Sequence, residues 1–486
     1  MNGSDITDLD ADSLSRAIHA RQVSCREVMQ ATLGRIHRLN PALNAIVNLA
    51  PDDLLLAQAD ALDAELAGGT SRGWMHGMPQ AIKDAAYAKG FPTTYGSVLL
   101  RDALAGQDSL VTSRMKAAGC IVVGKTNMPE FGLGSHTFNG LFGPTANAWD
   151  ASVSAGGSSG GAAVALAQRL LPVADGSDFM GSLRNPAAWN HVFGLRPSWG
   201  RVPLWPVADA WLAQLGTEGP MARTVNDLAR LLAIQAGHDP RVPLSIAQGA
   251  PDVGPLGDVQ ALRGLRIGWL ADFGGHLAME DGLLDCCEQA LQRCAAEGAI
   301  VEPRPFGFDL QAVWDAWRVW RHALVAPRVA PLLGRPGARE LIKPEALWEH
   351  DGALGLGVLD LSRASELRTR YHAHLLGLFE RHDVLALPVT QVWPFAIGER
   401  WPRRIAGREM DTYHRWMEVT IYATFAGAPA ISLPAGFHAN GRWPAGLQLM
   451  ARPGDDAGLL RIAAAYEAVS GALLALRPPE PEPLAE

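Results

Sequence analysis

Cysteine is scarce in this sequence, and its placement argues against a disulfide framework. The 486 residues contain five cysteines, an odd number spread along the chain: Cys25, Cys120, Cys286, Cys287 and Cys294. Small secreted domains that depend on disulfides carry a dense and even set. We therefore expect buried structural thiols and no metal ligation by cysteine.

Long apolar runs and basic clusters are also missing. No uninterrupted apolar stretch approaches the roughly 18 residues that a membrane helix needs, and residues 1–5 lack the charged and apolar regions of a secretory signal. The formal net charge is −8 at pH 7, which gives no electrostatic footprint for nucleic acid or an anionic membrane. These absences predict a cytoplasmic protein without nucleic-acid or membrane partners.

What is present is the pattern of a large layered domain. With 48% hydrophobic and 19% charged residues, the chain can bury a sizeable core. Short apolar runs alternate with segments of helical period, which favours an α/β fold. The predicted strands are 121–123, 171–174, 265–270 and 384–388, and the predicted helices are 24–39, 54–66, 162–170 and 281–297.

The chain shows no internal repeat and no convincing linker, so a single domain over residues 1–476 is the simplest organisation. Within it, residues 310–381 are helical in pattern and rich in Trp and Arg, which predicts a helical insertion or cap over one edge of the sheet. Residues 477–486 are a run of Pro and Glu that cannot form a helix interior or a central strand. We expect them to be an exposed tail.

A glycine and serine cluster at residues 156–161 is the most distinctive motif. A flexible linker would have this composition, but the strong helix former 162–167 follows directly. The last glycines therefore predict a helix N-terminus, whose free N–H groups favour developing negative charge.

Three side chains in such clusters suit nucleophilic acyl transfer without histidine: Lys83, Ser158 and Ser182. A serine hydroxyl is a weak nucleophile until a base is in reach. A buried lysine can be that base, because a buried amine loses its proton far more readily than a solvated one. The alternative for Lys83 is a surface lysine paired with Asp84.

Residues 156–160 also satisfy Gly-x-Ser-x-Gly, the nucleophile elbow of α/β-hydrolases. That class requires a strand leading into Ser158, and 149–155 is a poor strand. Histidines do follow at His191, His238 and His414, so this alternative stays open.

Five segments in order resemble the amidase signature family: 124–132, 156–161, 178–184, 194–198 and 426–434. The resemblance implies the amidase signature fold, a large mixed central sheet with helices on both faces. It also implies a cofactor-free, metal-free site in which Ser182 is the nucleophile. Ser158, preceded by a cis peptide, would relay its proton to neutral Lys83.

The resemblance assigns further residues around this triad. Backbone N–H groups of Phe179, Met180, Gly181 and Ser182 would form the oxyanion hole, although glycine is the usual occupant where this chain has Met180. We expect that the loop keeps its shape and that Met180 narrows the acyl pocket; the alternative is an altered hole. Supporting residues would be Ser159, Ser177, Asp178 and Arg184, and residues bordering the substrate would be Gly134, Ser135, Thr137 and Asn139.

The expected activity is hydrolysis of the C–N bond of small apolar or aryl amides through an acyl-enzyme. Urethane (carbamate) hydrolysis and aryl acylamidase or esterase activity are alternatives with the same triad. Less expected are the amidase subunit of a tRNA-dependent amidotransferase, against which Met180 and the Trp-rich variable regions argue, and a non-catalytic scaffold. The expected partner is a small amide or carbamate, and many relatives form homodimers.

Overall fold

The computed structural model describes residues 3–481, in which the strands form three sheets. They are β1 (Ile46–Val47), β2 (Pro79–Lys83), β3 (Ile121–Thr126), β4 (Val173–Asp178), β5 (Phe193–Arg196), β6 (Thr217–Ala222), β7 (Arg266–Trp269), β8 (Ile300–Pro303), β9 (Val384–Pro388), β10 (Arg404–Ile405), β11 (Arg408–Glu409), β12 (Ala430–Phe437) and β13 (Pro444–Ala451).

The largest sheet has eight strands in the order β4-β6-β5-β12-β13-β9-β7-β8. It is mixed, because β7 runs parallel to β8 and β9 while the other neighbours are antiparallel. A second sheet has the order β1-β3-β2, and β10 pairs with β11. Strand β2 packs beside β4, which joins the small sheet to one end of the large one.

Helices surround these sheets. They are α1 (Gly3–Asp8), α2 (Ala11–His19), α3 (Cys25–Leu43), α4 (Asp52–Ala67), α5 (Leu110–Ala117), α6 (Gly160–Ala167), α7 (Arg184–Asn190), α8 (Val225–Gln235), α9 (Leu283–Ala296), α10 (Leu310–Leu333), α11 (Ala338–Leu341), α12 (Pro344–Leu354), α13 (Val358–Leu378), α14 (Ile421–Ala426), α15 (Asp456–Val469) and α16 (Gly471–Leu474).

The large sheet is covered on both faces, as β9 illustrates. Val384 and Ala386 belong to an apolar cluster that includes residues of α8, α9 and α15. Leu385 and Leu387 belong to a second cluster, which includes residues of α10, α13 and α14. Because successive side chains of a strand point to opposite faces, the sheet has a core on each side. The predicted amidase signature architecture is confirmed.

The start of α3 forms as predicted, but its end does not. Ser24 Oγ accepts from the Glu27 N–H while the Glu27 carboxylate accepts from the Ser24 N–H, a complete capping box. The helix passes its predicted end at residue 39, continues through Pro41 and ends at Leu43. Proline removes one donor near the last turn, whereas Asn44, with φ 51°, adopts the left-handed conformation that terminates the helix.

Two strands extend further than their apolar runs. The segment predicted at 121–123 continues to Thr126, and the one predicted at 171–174 starts at Val173 and continues to Asp178. In both, the additional residues are small or polar and are buried or nearly so. Apolar periodicity cannot detect such residues, because their burial depends on hydrogen bonds to other elements.

The interval 310–381 contains α10 to α13 and no strand. Of the tail, residues 477–481 lie at the surface, where Glu480 forms an ion pair of 2.9 Å with Arg35; residues 482–486 lie outside the described part of the chain. The domain boundaries, the cap and the exposed tail stay predictions. All five cysteines are buried and free. No described helix is long and apolar enough to span a membrane, and no cluster suited to a metal ion occurs between residues 3 and 481.

Candidate active site

Lys83 is the last residue of β2 and lies where the two sheets meet. Its backbone N–H donates to Asp175 Oδ2 on β4 at 3.1 Å, and Gln80 Nε2 donates to the other oxygen of the same carboxylate at 3.1 Å. Asp175 therefore fixes the end of β2 against β4. The Lys83 side chain is 1% exposed.

The Lys83 ammonium nitrogen is surrounded by serines. Nζ lies 2.8 Å from Ser158 Oγ, 2.8 Å from Ser159 Oγ and 2.9 Å from Ser177 Oγ, with the Ser177 carbonyl at 3.3 Å. Asp84 instead faces Lys125, 4.0 Å away. The alternative of a surface lysine paired with Asp84 is therefore wrong.

Burial lowers the pKa of Lys83 to about 7, although Asp175, Asp178 and Glu218 act in the opposite direction. Removing an ammonium from water disfavours its charged form, and hydroxyl groups compensate less than a carboxylate contact would. Near neutral pH a large fraction of Lys83 is thus a neutral amine, which can accept a proton.

Ser158 lies in a tightly held segment rather than a linker. The Gly157-Ser158 peptide is cis, Ser135 Oγ donates to the Gly157 carbonyl at 2.5 Å, and Thr137 Oγ1 donates to the Gly156 carbonyl at 2.7 Å. Helix α6 begins two residues after Ser158. A Cβ at Gly161 would lie 2.4 Å from the Ala45 carbonyl oxygen, so the close packing of this segment requires glycine.

The nucleophile-elbow alternative is wrong. Residues 149–155 form only isolated bridges and no strand that leads into Ser158. The downstream histidines are engaged elsewhere: His191 Nε2 pairs with the Leu473 carbonyl, and His238 Nδ1 pairs with Ser245. His414 is buried among aromatic rings, including Trp314.

Ser182 lies in the loop between β4 and α7, beside the Ser158 segment. The Ser159 N–H donates to the Ser182 carbonyl at 3.1 Å. Within residues 3–481, no hydrogen bond engages the Ser182 hydroxyl, and the residue is 6% exposed. Hydrogen bonds at a catalytic serine are often loose without substrate and tighten in the complex.

Asp178 and Arg184 brace the loop that carries Ser182. Arg184 Nε donates to Asp178 Oδ2 at 2.9 Å and Nη2 to Oδ1 at 3.0 Å, and the Gly181 N–H also donates to Oδ1 at 2.9 Å. Burial alone would raise the pKa of Asp178, but Arg184 and Arg196 outweigh it and lower the pKa to about 2. The carboxylate is therefore ionised whenever the protein is folded near neutral pH.

Arg184 also ties this loop to the far end of the sequence. Its Nη1 donates to the Thr420 carbonyl at 3.0 Å and to Gln448 Oε1, and its Nη2 donates to Thr424 Oγ1 at 3.1 Å. A guanidinium has five donors in a fixed planar arrangement. The loop is thereby fixed relative to α14 and β13.

Three of the four expected oxyanion-hole donors are free. The Gly181 N–H already donates to Asp178 Oδ1 at 2.9 Å, and its part in the oxyanion hole stays a prediction. The N–H groups of Phe179, Met180 and Ser182 make no hydrogen bond to any described residue. Gly181 has φ 80°, and a Cβ there would lie 2.6 Å from Thr420 Cγ2. Met180, in contrast, does not adopt a positive φ.

Comparison with known proteins agrees with this geometry. A family model described as amidase matches residues 27–460. The chain belongs to the amidase signature family. It is 35% identical to the A subunit of glutamyl-tRNA(Gln) amidotransferase from Acidothermus cellulolyticus, over 98% of each chain. As an amidase signature enzyme it acts on carbon–nitrogen amide bonds, which confirms the predicted class of enzyme.

Solved structures of amidase signature enzymes superpose along nearly the whole chain. A bacterial aryl acylamidase of the family gives a TM-score of 0.89 at 30% identity, covering 98% of this chain and 100% of that one. A 6-aminohexanoate cyclic dimer hydrolase in complex with its substrate gives 0.82 at 26% identity, covering 97% and 98%. The resemblance derived from five short segments therefore extends to the complete fold.

The loop expected to border the substrate is polar, but its polar side chains already have protein partners. Ser135 and Thr137 hold the carbonyls before Ser158, and Asn139 Nδ2 donates to Asn127 Oδ1 at 2.8 Å. Gly134, with φ 93°, lies in the turn before them. These contacts give the three side chains a supporting position in the amidase signature core, and substrate contact by this loop stays a prediction.

Glu218, an acidic residue whose charge acts on Lys83, is not among the residues expected from the sequence. Glu218 pairs with Ser177 in the β4–β6 register and is buried. Burial and the neighbouring Asp175 raise the pKa of Glu218 to about 8, so it is largely protonated near neutral pH. The sequence of β6 carries no local pattern that pairs it with β4, so the sequence offers no signal for this contact.

Proposed function

We propose that the chain is an amidase that hydrolyses small apolar or aryl amides with a Lys83, Ser158 and Ser182 triad. The observation that carries the proposal is the 2.8 Å contact between Ser158 Oγ and the Nζ of Lys83, an amine whose pKa burial lowers to about 7. Such an amine can take a proton from a hydroxyl, which an exposed lysine near neutral pH cannot do.

In the proposed reaction, Ser182 Oγ attacks the amide carbonyl carbon while its proton passes to Ser158 and the Ser158 proton passes to Lys83. The C–N bond then breaks, and the leaving amine receives the proton from Lys83 through Ser158. The acyl group remains as an ester on Ser182. Water attacks this ester by the same relay in reverse and releases the carboxylic acid.

The N–H groups of Phe179, Met180 and Ser182 are the proposed donors to the carbonyl oxygen as it becomes negatively charged. One preorganised donor of this kind lowers the barrier by roughly 3–4 kcal/mol. The Asp178 contacts to the Gly181 N–H and to Arg184 support the shape of the loop before substrate arrives. Such preorganisation is what makes these donors effective.

The structural likeness to an aryl acylamidase supports aryl amides as the substrate class. Carbamates and aryl esters present the same carbonyl, so the triad alone does not separate them. Comparing amine release from a 4-nitroanilide with release from the matching aryl carbamate, and phenol release from the matching ester, would rank the three. We expect the anilide to give the highest kcat/KM; a higher value for the carbamate would assign a urethanase.

A second candidate is an amidotransferase A-type subunit, because relatives with that name match 96–98% of this chain at 34–35% identity. The methionine at position 180, where the family usually has glycine, argues against it. Glutaminase activity that appears only with partner subunits would favour this candidate. Anilide hydrolysis by the purified chain alone, as a monomer or the expected homodimer, would favour the independent amidase.

The identity of the nucleophile is tested with a fluorophosphonate probe. We expect Ser182→Ala to abolish both covalent labelling and turnover, because Ser182 is the one hydroxyl-bearing residue in the segment 178–184, which carries the proposed oxyanion donors. The matched control is Ser152→Ala, which removes a surface hydroxyl bonded to Asp150 and should be labelled like the wild type. Labelling that persists in Ser182→Ala would show that another residue is the nucleophile. If the wild type hydrolyses no substrate in a broad panel of amides and esters, a non-catalytic scaffold would be favoured.

A further inference from the structure

Met180 places a flexible side chain in the loop that carries the proposed nucleophile. It is 2% exposed and belongs to the same apolar cluster as Trp189, Trp317 and Trp416. A methionine has three rotatable side-chain bonds and adapts easily to its surroundings. Without a contact that fixes it, this side chain would be a poor wall for a binding pocket.

Arg321 of α10 supplies such a contact. Its Nη1 lies 3.6 Å from Met180 Sδ, and its guanidinium carbon lies 5.5 Å from the centre of the Phe179 ring. One side chain of the helical interval 310–381 therefore touches two consecutive residues of the loop. Arg321 itself is 2% exposed.

The guanidinium is held from its other edges. Arg321 Nε donates to Glu349 Oε1 of α12, and Nη2 donates to the Tyr413 hydroxyl at 2.7 Å. The Tyr413 hydroxyl in turn donates to Glu349 Oε1 at 2.5 Å. With these nitrogens engaged by oxygen atoms, Nη1 is left facing a thioether, which is a weak acceptor. Arg321 thus has one orientation, and Met180 lies against its remaining edge.

The charge of Arg321 is balanced locally. Burial alone would raise the pKa of Glu349, but Arg321 and the adjacent histidines outweigh it and lower the pKa to about 2. Glu349 is therefore ionised, and the Arg321 and Glu349 pair has no net charge. The pair therefore acts on its surroundings only as a dipole, whereas the contact with Met180 Sδ acts directly on the position of that side chain.

We propose that Arg321 is a positioning residue that holds the Met180 side chain beside the acyl pocket and thereby excludes long acyl groups. This inference rests on the proposed function, in which Ser182 is acylated. It gives the helical interval 310–381 a part in substrate selection, through a residue far in sequence from the triad.

The test is a double-mutant cycle on acyl length. Three variants are compared with the wild type: Met180→Gly, the pair Arg321→Met with Glu349→Gln, and all three changes together. The pair of changes removes both partners of the Arg321 and Glu349 ion pair together, so neither is left buried without the other. The measured quantity is the ratio of kcat/KM for hexanoyl 4-nitroanilide to that for acetyl 4-nitroanilide.

We expect the Arg321 and Glu349 pair of changes to raise this ratio about tenfold, since one methylene in an apolar pocket alters kcat/KM by at least that order. Met180→Gly should raise it at least as much. In the Met180→Gly background the pair of changes should add less than about twofold, because the side chain that Arg321 holds is already gone.

Two results would overturn the inference. One is an unchanged ratio in the Arg321 and Glu349 variant while Ser182 is still labelled by the fluorophosphonate. The other is an equal effect of that variant with and without Met180. Failure of the proposed function is distinguishable, because it would appear as labelling in Ser182→Ala. If the paired variant does not fold, Arg321→Lys, which keeps the charge but not the planar contacts, should show a smaller rise, and no rise would overturn the inference equally.

Discussion

Two buried lysines lie on neighbouring strands, and their surroundings differ in kind. Lys83 ends β2, and Lys125 lies in β3 as the register partner of Ile82. Burial lowers the pKa of both, to about 7 for Lys83 and about 8 for Lys125. Lys83 Nζ contacts three serine hydroxyls at 2.8–2.9 Å. The shortest contact of Lys125 Nζ is the Ala86 carbonyl at 2.5 Å, and its hydroxyl neighbour, Thr93 Oγ1, lies farther away at 3.2 Å.

The comparison shows that burial alone does not make a lysine a useful base. A hydroxyl both donates and accepts protons, whereas a carbonyl oxygen only accepts hydrogen bonds. Lys125 also lies 4.0 Å from the Asp84 carboxylate, which favours its charged form. We therefore propose proton transfer for Lys83 and a structural position for Lys125.

The largest expected difference is in activity. Replacing Lys83 by Met should lower kcat/KM for an anilide by about 10²–10⁴-fold, the usual contribution of a general base. If the Lys125→Met variant folds, its kcat/KM should stay within about threefold of the wild-type value, because Lys125 takes no direct part in the proposed proton transfer. Steady-state kinetics at pH 8 would measure both values. Equal losses of kcat/KM in the two folded variants would contradict the different roles proposed for the two lysines.

The second difference is in pH dependence. Because only neutral Lys83 accepts a proton, wild-type kcat/KM should rise about tenfold per pH unit below pH 7 and level off above it. Lys125→Met should give the same curve. A profile that is flat between pH 5.5 and 8 would contradict a lysine base with its pKa near 7.

The Lys125 substitution should lower the free energy of unfolding even though it leaves the activity nearly unchanged. Lys125→Met leaves the Ala86 carbonyl and Thr93 Oγ1 without their buried donor, which should cost about 1–3 kcal/mol in the free energy of unfolding. Urea denaturation at pH 7 would measure this loss.

For Lys83, the difference in the free energy of unfolding between the wild type and Lys83→Met should depend on pH. Its folded-state pKa of about 7 lies below the unfolded value of about 10.4, so the unfolded chain binds more protons between these limits. The wild type should therefore gain stability relative to Lys83→Met as pH rises from 7 to 9. A relative loss over that interval would show that Lys83 is charged in the folded protein.

The smallest expected effect concerns a supporting hydroxyl. Ser177→Ala removes one acceptor, 2.9 Å from Lys83 Nζ, and an acceptor stabilises the ammonium more than the amine. The pKa of Lys83 should fall by about 0.5–1 unit, as the usual strength of one hydrogen bond implies, so the plateau of the pH profile begins at lower pH. A shift towards higher pH would mean that Ser177 acts mainly as a donor.

The fold class and the residues that meet at Lys83 were accessible from sequence because each lies in a short motif. The glycine cluster at 156–161 and the segment 178–184 need glycines for close packing, as Gly161 and Gly181 show. The order of these motifs along the chain then indicated the resemblance to the amidase signature family. Strand ends were less accessible, since β3 and β4 continue into residues without apolar periodicity.

Other parts of the site had no local signal. Glu218 lies beside Lys83 through the pairing of β4 with β6, and Arg321 reaches Met180 across 141 positions. The engagement of the Gly181 N–H by Asp178 also depends on how the loop turns. These contacts are decided by tertiary packing, which residue types and spacing do not encode locally.

The span of the Arg184 contacts has a consequence for synthesis of the protein. Two of its acceptors, Thr420 and Gln448, emerge from the ribosome long after the triad itself. A nascent chain that ends before β13 therefore carries Lys83, Ser158 and Ser182 but lacks Gln448, one of the residues that hold Arg184 beside the proposed nucleophile. Premature termination before residue 444 should consequently yield inactive fragments, although all three proposed reacting residues are present.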